Sequence, residues 1–335
     1  MTLQKIKLAD DLEISRIING LWQISEDFSP TNNEQITNSM LDYHNAGFST
    51  WDLADSYGFA ENYIGNLKKF CNENNLSSKS ENIRCLFKIY SRSKFETSDE
   101  LEKNIRQSLD RMHSNYLDLL QFHCWDYDKV DYLKIFEYFT MFQDMKIINH
   151  LGVTNFDTKH LELLKDNNFE IVSNQIQYSL IDSRPQSVME NFCKQNNVKI
   201  IAYGTLCGGF ISENFLGKPE PSNNELSNPS LLKYKKFIDN WGGWNLFQNL
   251  LSTLYEISST YGVSIANVAT RYILDKPNVA GVILGTRFGI NNHINENLSL
   301  ENFNFTSDEN KKIDEVLKNS NDLFSLIGDC GSEFR

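Results

Sequence analysis

Eight short runs of β-branched and aromatic residues recur along this 335-residue chain, spaced by longer amphipathic stretches. The runs cover 17–22, 49–52, 83–89, 117–123, 150–154, 171–175, 199–203 and 279–284. Between them lie helical patterns over 33–46, 99–112, 132–144, 157–165, 185–196 and 264–274. Leu101, Ile105, Leu109 and Met112 show the apolar stripe at helical spacing. Such alternation is the signature of repeated βα units and a parallel sheet. Eight units predict a closed (β/α)₈, or TIM, barrel, with one domain over 1–335. A chain of this length exceeds the usual single core but fits a barrel with insertions.

Two segments stand outside the repeat. Residues 7–17 read as a β-hairpin that plugs the lower end of the barrel. Residues 207–244 follow the seventh run as one long loop with Gly208-Gly209, Gly217, Pro219, Pro221, Pro229 and Trp241-Gly-Gly-Trp244. That is too long for a tight connection, so a lid or substrate loop is expected there.

With 44 acidic against 32 basic residues, the formal charge of -12 disfavours nucleic acid and anionic lipid as partners. No run approaches the length of a membrane span and the N-terminus has no apolar signal core, which predicts a cytoplasmic protein. Cys71, Cys85, Cys124, Cys193, Cys207 and Cys330 form no CxxC and no metal-ligand spacing, so free thiols and no metal are expected.

The carboxyl ends of the runs are polar: Trp22, Asp52, Lys88, His123, Thr154-Asn155, Gln175, Tyr203 and Gly285-Thr286-Arg287. In a parallel barrel these ends converge on one mouth, where active sites are built. Asp52, Tyr57, Lys88 and His123 together make a proton-donating site. A phenol donates poorly near neutral pH, but an adjacent ammonium favours its anion, so Lys88 is expected to lower the Tyr57 pKa. Asp52 would hold Lys88, and His123 would donate a hydrogen bond that orients a substrate carbonyl. Such a set polarises C=O for hydride attack, and since no side chain supplies hydride, a nicotinamide is implied.

With these residues the chain resembles the aldo-keto reductases. The likeness runs through the Asp52 to Gly58 segment, Lys88 after the third run, Leu117-Asp-Leu-Leu with His123, and Gly152-Val-Thr-Asn-Phe156. It continues through Asn174-Gln175, Tyr203-Gly-Thr-Leu206, Gly285-Thr-Arg287 and Glu296-Asn297. The resemblance implies a (β/α)₈ barrel that binds NADPH in extended form, in keeping with the absence of GxGxxG and P-loop sequences. It implies that Asp52, Tyr57, Lys88 and His123 are the catalytic tetrad, and that Thr154, Asn155 and Gln175 bond the nicotinamide carboxamide. Tyr203 would stack on the nicotinamide, with Gly204, Thr205 and Leu206 against the pyrophosphate. Trp22, Asp52, Gly285 and Thr286 would also border the cofactor, Arg287 would meet the 2′-phosphate beside a helix starting near Asn291, and Glu296 and Asn297 would meet the adenine. Trp22, Tyr57, His123 and Trp125 would face the substrate, a small carbonyl compound, and Trp241 and Trp244 are further candidates for the mouth. Specificity would lie in the loops after Trp22, His123 and Tyr203.

The chain departs from the family pattern at Leu21, at Gly204-Thr205 in place of Ser-Pro, and in the longer stretch from Arg287 to Glu296. An alternative reading is a nicotinamide-binding regulatory subunit, since potassium-channel β-subunits resemble the same family. A barrel glycosidase would need two facing carboxylic acids, whereas the fourth and seventh runs end in His123 and Tyr203.

Overall fold

In a computed structural model, which describes residues 3–25, 33–74, 76–91, 97–226 and 229–334, ten strands form. β1 (Lys5–Ala9) and β2 (Leu12–Ser15) pair as an antiparallel hairpin. The other eight close a barrel: β3 (Ile17–Gly20), β4 (Thr50–Ala54), β5 (Arg84–Tyr90), β6 (Leu117–His123), β7 (Ile148–Thr154), β8 (Ile171–Gln177), β9 (Lys199–Tyr203) and β10 (Val279–Gly285). Neighbours run parallel in chain order, and β10 returns to β3. The expected barrel and hairpin are both present.

The outer helices form for local reasons. At Ser98–Arg111, the Thr97 hydroxyl accepts from Glu100 N, Asp99 and Glu100 face the positive end of the helix dipole, and Arg111 lies in the last turn. Leu101, Ile105, Ser108 and Leu109 form the buried face, as the stripe predicts. The stretch expected as a helix over 185–196 is instead a 3₁₀ turn, Arg184–Gln186, and a helix, Met189–Gln195. Val188 breaks them with φ -135° and ψ -36°, outside helical dihedrals.

The connection after β9 is long, as expected, but its second half is helical. After 3₁₀ turns at Cys207–Gly209, Glu213–Phe215 and Asn223–Glu225 comes the helix Pro229–Trp241, then Gly243–Tyr261. Phe210, Ile211, Phe237, Ile238, Trp241 and Trp244 are core residues. A lid spanning all of 207–244 is therefore excluded, and Trp241 and Trp244 do not line the mouth. The exposed part is the stretch around Lys218 to Glu225. The loop after Trp22, at 26–32, lies outside the described residues.

Inside the barrel, chemistry changes along the axis. At the lower end Leu8, Leu12 and Ile14 of the hairpin pack on Ile18, Leu86, Leu119, Ile201 and Ala280, one apolar cluster that plugs the barrel. Above it the strands turn inward the side chains of Asp52, Lys88, Gln121 and Gln175, all at least nine-tenths buried. A Cβ on Gly152 would press on Ser173 Oγ and the Gln121 side chain, so glycine there leaves room for this polar layer.

Candidate active site

Strand register sets the site. It aligns Ala54 with Lys88, Lys88 with Gln121, and Tyr90 with His123, so residues two apart on a strand share the lumen face. Lys88 Nζ donates to Asp52 Oδ2 at 2.5 Å, with side chains 2% and 5% exposed. The other carboxylate oxygen, Oδ1, accepts from Gln175 Nε2 at 2.7 Å. β4 and β8 lie on opposite sides of the ring, so that bond crosses the lumen.

Tyr57 sits in the turn after β4, where its N–H donates to Ala54 O at 3.1 Å and Gly58 follows with φ 51°. Lys88 Nζ lies 5.0 Å from the centre of the Tyr57 ring. The ammonium thus faces the ring, and its short bond goes to Asp52. Burial pushes the phenol well above the usual tyrosine range, and the Tyr90 and Asp52 charges push it the same way. This corrects the expectation that Lys88 lowers that pKa: desolvation wins. Burial also draws Lys88 below the usual lysine range, opposed by Asp52.

Tyr90 escaped the sequence reading, although it stands two residues beyond Lys88 on the same face. It shares a side-chain hydrogen bond with Tyr57 and packs 5.0 Å from the His123 ring. Trp125 stacks on His123 at 4.9 Å and 20°, with 42% of its surface exposed, which places it at the rim of the mouth.

His123 Nε2 lies 3.3 Å from Asn155 Nδ2, and Asn155 Oδ1 accepts from the Tyr203 hydroxyl at 2.9 Å. With its oxygen accepting, the amide presents its nitrogen to the Nε2 edge of the imidazole. Asn155 holds this pose with φ 56°.

The expected cofactor contacts divide into two groups. Thr154 Oγ1 is buried at the end of β7 with no hydrogen-bond partner among the described residues. Arg287 is exposed beyond β10 with no side-chain partner among the described residues, and Trp22, in the 3₁₀ turn Trp22–Ser25, is 38% exposed. Others are engaged. Glu296 accepts from Ser264 Oγ and pairs with His293 Nδ1, both at 2.7 Å, and Asn297 is buried. The helix expected near Asn291 is the five-residue Ile294–Leu298.

Gly204 has φ 72°, and the Tyr234 hydroxyl fills the place where its Cβ would lie. Thr205 Oγ1 donates to Tyr178 O at 3.3 Å, and Leu206 is half-buried. Gly285 is exposed against the Gln23 amide, and Thr286 N donates to Gly20 O at 3.3 Å.

A second buried charge cluster, unread in the sequence, lies beside Tyr203. Arg184 grips Asp182 with two bonds of 2.8 Å and reaches Glu333 Oε2 at 2.8 Å and Asp329 O at 3.2 Å. It ties residues 329–333 to the loop after β8. Lys233 lies over the Tyr203 ring at 5.6 Å. Among the described residues no His, Cys, Asp and Glu cluster could hold a metal, all six cysteines are free and buried, and no helix is long and apolar enough to cross a membrane.

The Aldo/keto reductase family model matches residues 16–318. The uncharacterized oxidoreductase YcsN of Bacillus subtilis (strain 168) is 28% identical over 228 residues, covering 62% of this chain and 72% of that protein. The aldo-keto reductase YhdN of the same organism is 22% identical over 314 residues and 92% of each chain. The crystal structure of Bombyx mori aldo-keto reductase AKR2E4 in complex with NADP shares the fold, with a TM-score of 0.70, 19% identity and 97% of each chain covered. With the family model covering the whole barrel and the strand ends carrying the expected residues, the chain belongs to the aldo/keto reductase family.

Proposed function

We propose that the protein reduces aldehyde or ketone carbonyls to alcohols with NADPH, Tyr57 being the proton donor. The observation that carries this reading is the convergence of Tyr57, the enclosed Lys88–Asp52 pair and His123 at one barrel mouth. Thr154 and Arg287, a buried hydroxyl and an exposed guanidinium each lacking a side-chain partner among the described residues, fit the two ends of a nicotinamide dinucleotide. Arginine's planar fork suits the 2′-phosphate. The bound NADPH would supply hydride to the carbonyl carbon.

The protein's own residues handle the proton. Burial keeps the Tyr57 hydroxyl protonated, so the donor is loaded across the working pH range. An alkoxide forming on the substrate is a strong base, which makes it the acceptor for the Tyr57 proton. Lys88, 5.0 Å from the ring centre, stabilises the phenolate left behind. His123, 3.3 Å from Asn155, stands at the mouth where it can donate to the substrate oxygen. The exposed face of Trp125 gives the substrate an apolar wall.

The test is NADPH oxidation with a panel of aldehydes and ketones. Tyr57→Phe should lower kcat by about 10²-fold or more while the NADPH Kd stays within about threefold. A variant that keeps most of its turnover would remove Tyr57 as the donor.

A further inference from the structure

We infer that Gln175, seated on Gln121, is a positioning residue that aims Asp52 at Lys88 from across the barrel. The inference rests on the reductase reading and departs from the carboxamide role that family resemblance gives Gln175. Its amide nitrogen has two hydrogens, and both are committed: Nε2 donates to Asp52 Oδ1 at 2.7 Å and to Gln121 Oε1 at 3.2 Å. Asp52, with one oxygen on Gln175 and the other on Lys88, cannot rotate without giving up a bond to a charged group.

Gln121 fixes the direction of this chain. It is fully buried on β6, and its Nε2 has no partner among the described residues. Turning its amide over would set two N–H₂ groups against each other, so Oε1 must face Gln175. A buried, unsatisfied amide nitrogen is costly. A Leu or Met would fill the same volume without that penalty, so the acceptor that Oε1 offers to the Gln175 amide is what the glutamine adds. The order is therefore Gln121 to Gln175 to Asp52 to Lys88, ending under the Tyr57 ring.

The test uses Gln175→Met and Gln121→Met, both close in volume, in the full-length protein. Each is assayed for kcat and KM against pH, and for NADPH affinity by fluorescence titration. Gln175→Met should lower kcat by about tenfold or more, the worth of one hydrogen bond to a charged group, and move the acid limb of the kcat profile up by about one pH unit. NADPH Kd should stay within about threefold. Gln121→Met, which lies below the mouth, should move the limb in the same direction by less. An unmoved profile with weakened NADPH would return Gln175 to a cofactor role and overturn the inference, as would a change in thermal midpoint alone.

If the wild type turned over no carbonyl compound, the reductase reading would fail and the positioning claim would still be decided. It then rests on the Asp52 carboxylate stretch in the difference infrared spectrum, assigned with Asp52→Asn. That band should shift in Gln175→Met, and an unmoved band would refute the positioning role.

Discussion

Replacing Asp52 with alanine takes the anion out of a pair that is almost wholly enclosed, with Lys88 2% and Asp52 5% exposed and 2.5 Å between them. It strands two donors, the Lys88 ammonium and the Gln175 amide. Breaking a buried pair on one side costs about 3–5 kcal/mol, because the remaining charge has no water to return to. Asp52→Ala should fall at the upper end of that range, since Gln175 also loses its acceptor. Lys88→Met leaves Asp52 its bond from Gln175 and should cost less. Asp52→Leu combined with Lys88→Met removes both charges and should recover most of the loss.

The Asp52→Ala deficit should also shrink as pH rises. Burial already draws Lys88 below its ordinary range, and Asp52 opposes that, so without Asp52 the folded-state pKa falls further. The unfolded chain then binds more protons than the folded one, and stability climbs with pH through the window between the lowered pKa and about 10.4. Reversible urea unfolding followed by circular dichroism, at about pH 7 and about pH 9.5, reads both effects. A single variant within about 1 kcal/mol of wild type, or a double variant no better than the single, would refute the idea that the two charges depend on each other.

Arg287→Ala should weaken NADPH by about 1.5–3 kcal/mol and leave NADH nearly unchanged, as measured by fluorescence titration; equal losses would show that Arg287 does not read the 2′-phosphate. Gly204→Ala should destabilise by about 1–2 kcal/mol from its left-handed backbone alone, with more from overlap with the Tyr234 hydroxyl. Adding Tyr234→Phe should return part of that loss, and a fully additive pair in urea unfolding would contradict the overlap. Amide hydrogen exchange should be fast over 218–225 and slow on adding NADP⁺, while 237–241 stays protected throughout; uniform protection without cofactor would mark the whole connection as fixed.

The barrel was legible because apolar runs that end in a polar residue repeat eight times, and a parallel closed sheet gathers those ends at one mouth. Tyr90 and Gln121 were readable by the same logic, lying two residues from Lys88 and His123 on the lumen face, but an inward glutamine looks like any other strand polar residue until its partners appear. The Tyr57 environment was not legible. Sequence places an ammonium near a phenol, whereas the choice between ring face and hydroxyl depends on the turn at Gly58 and on Asp52 claiming Lys88. The helix Pro229–Trp241 was hidden because Pro229 and Gly242-Gly243 punctuate its ends, although Tyr234, Ile238 and Trp241 repeat at helical spacing within it. The Arg184 cluster joins residues about 150 positions apart in sequence and leaves no local signal.

The hairpin at the foot of the barrel makes the polar layer a blind well. Leu8, Leu12 and Ile14 seal one end with hydrocarbon, so protons exchange with Asp52 and Lys88 through the other, past Tyr57, Tyr90 and His123. A ligand that fills that entrance cuts the well off from bulk solvent. Ligand entry and proton exchange therefore share one opening, so a ligand seated there would slow exchange at the buried Asp52–Lys88 pair.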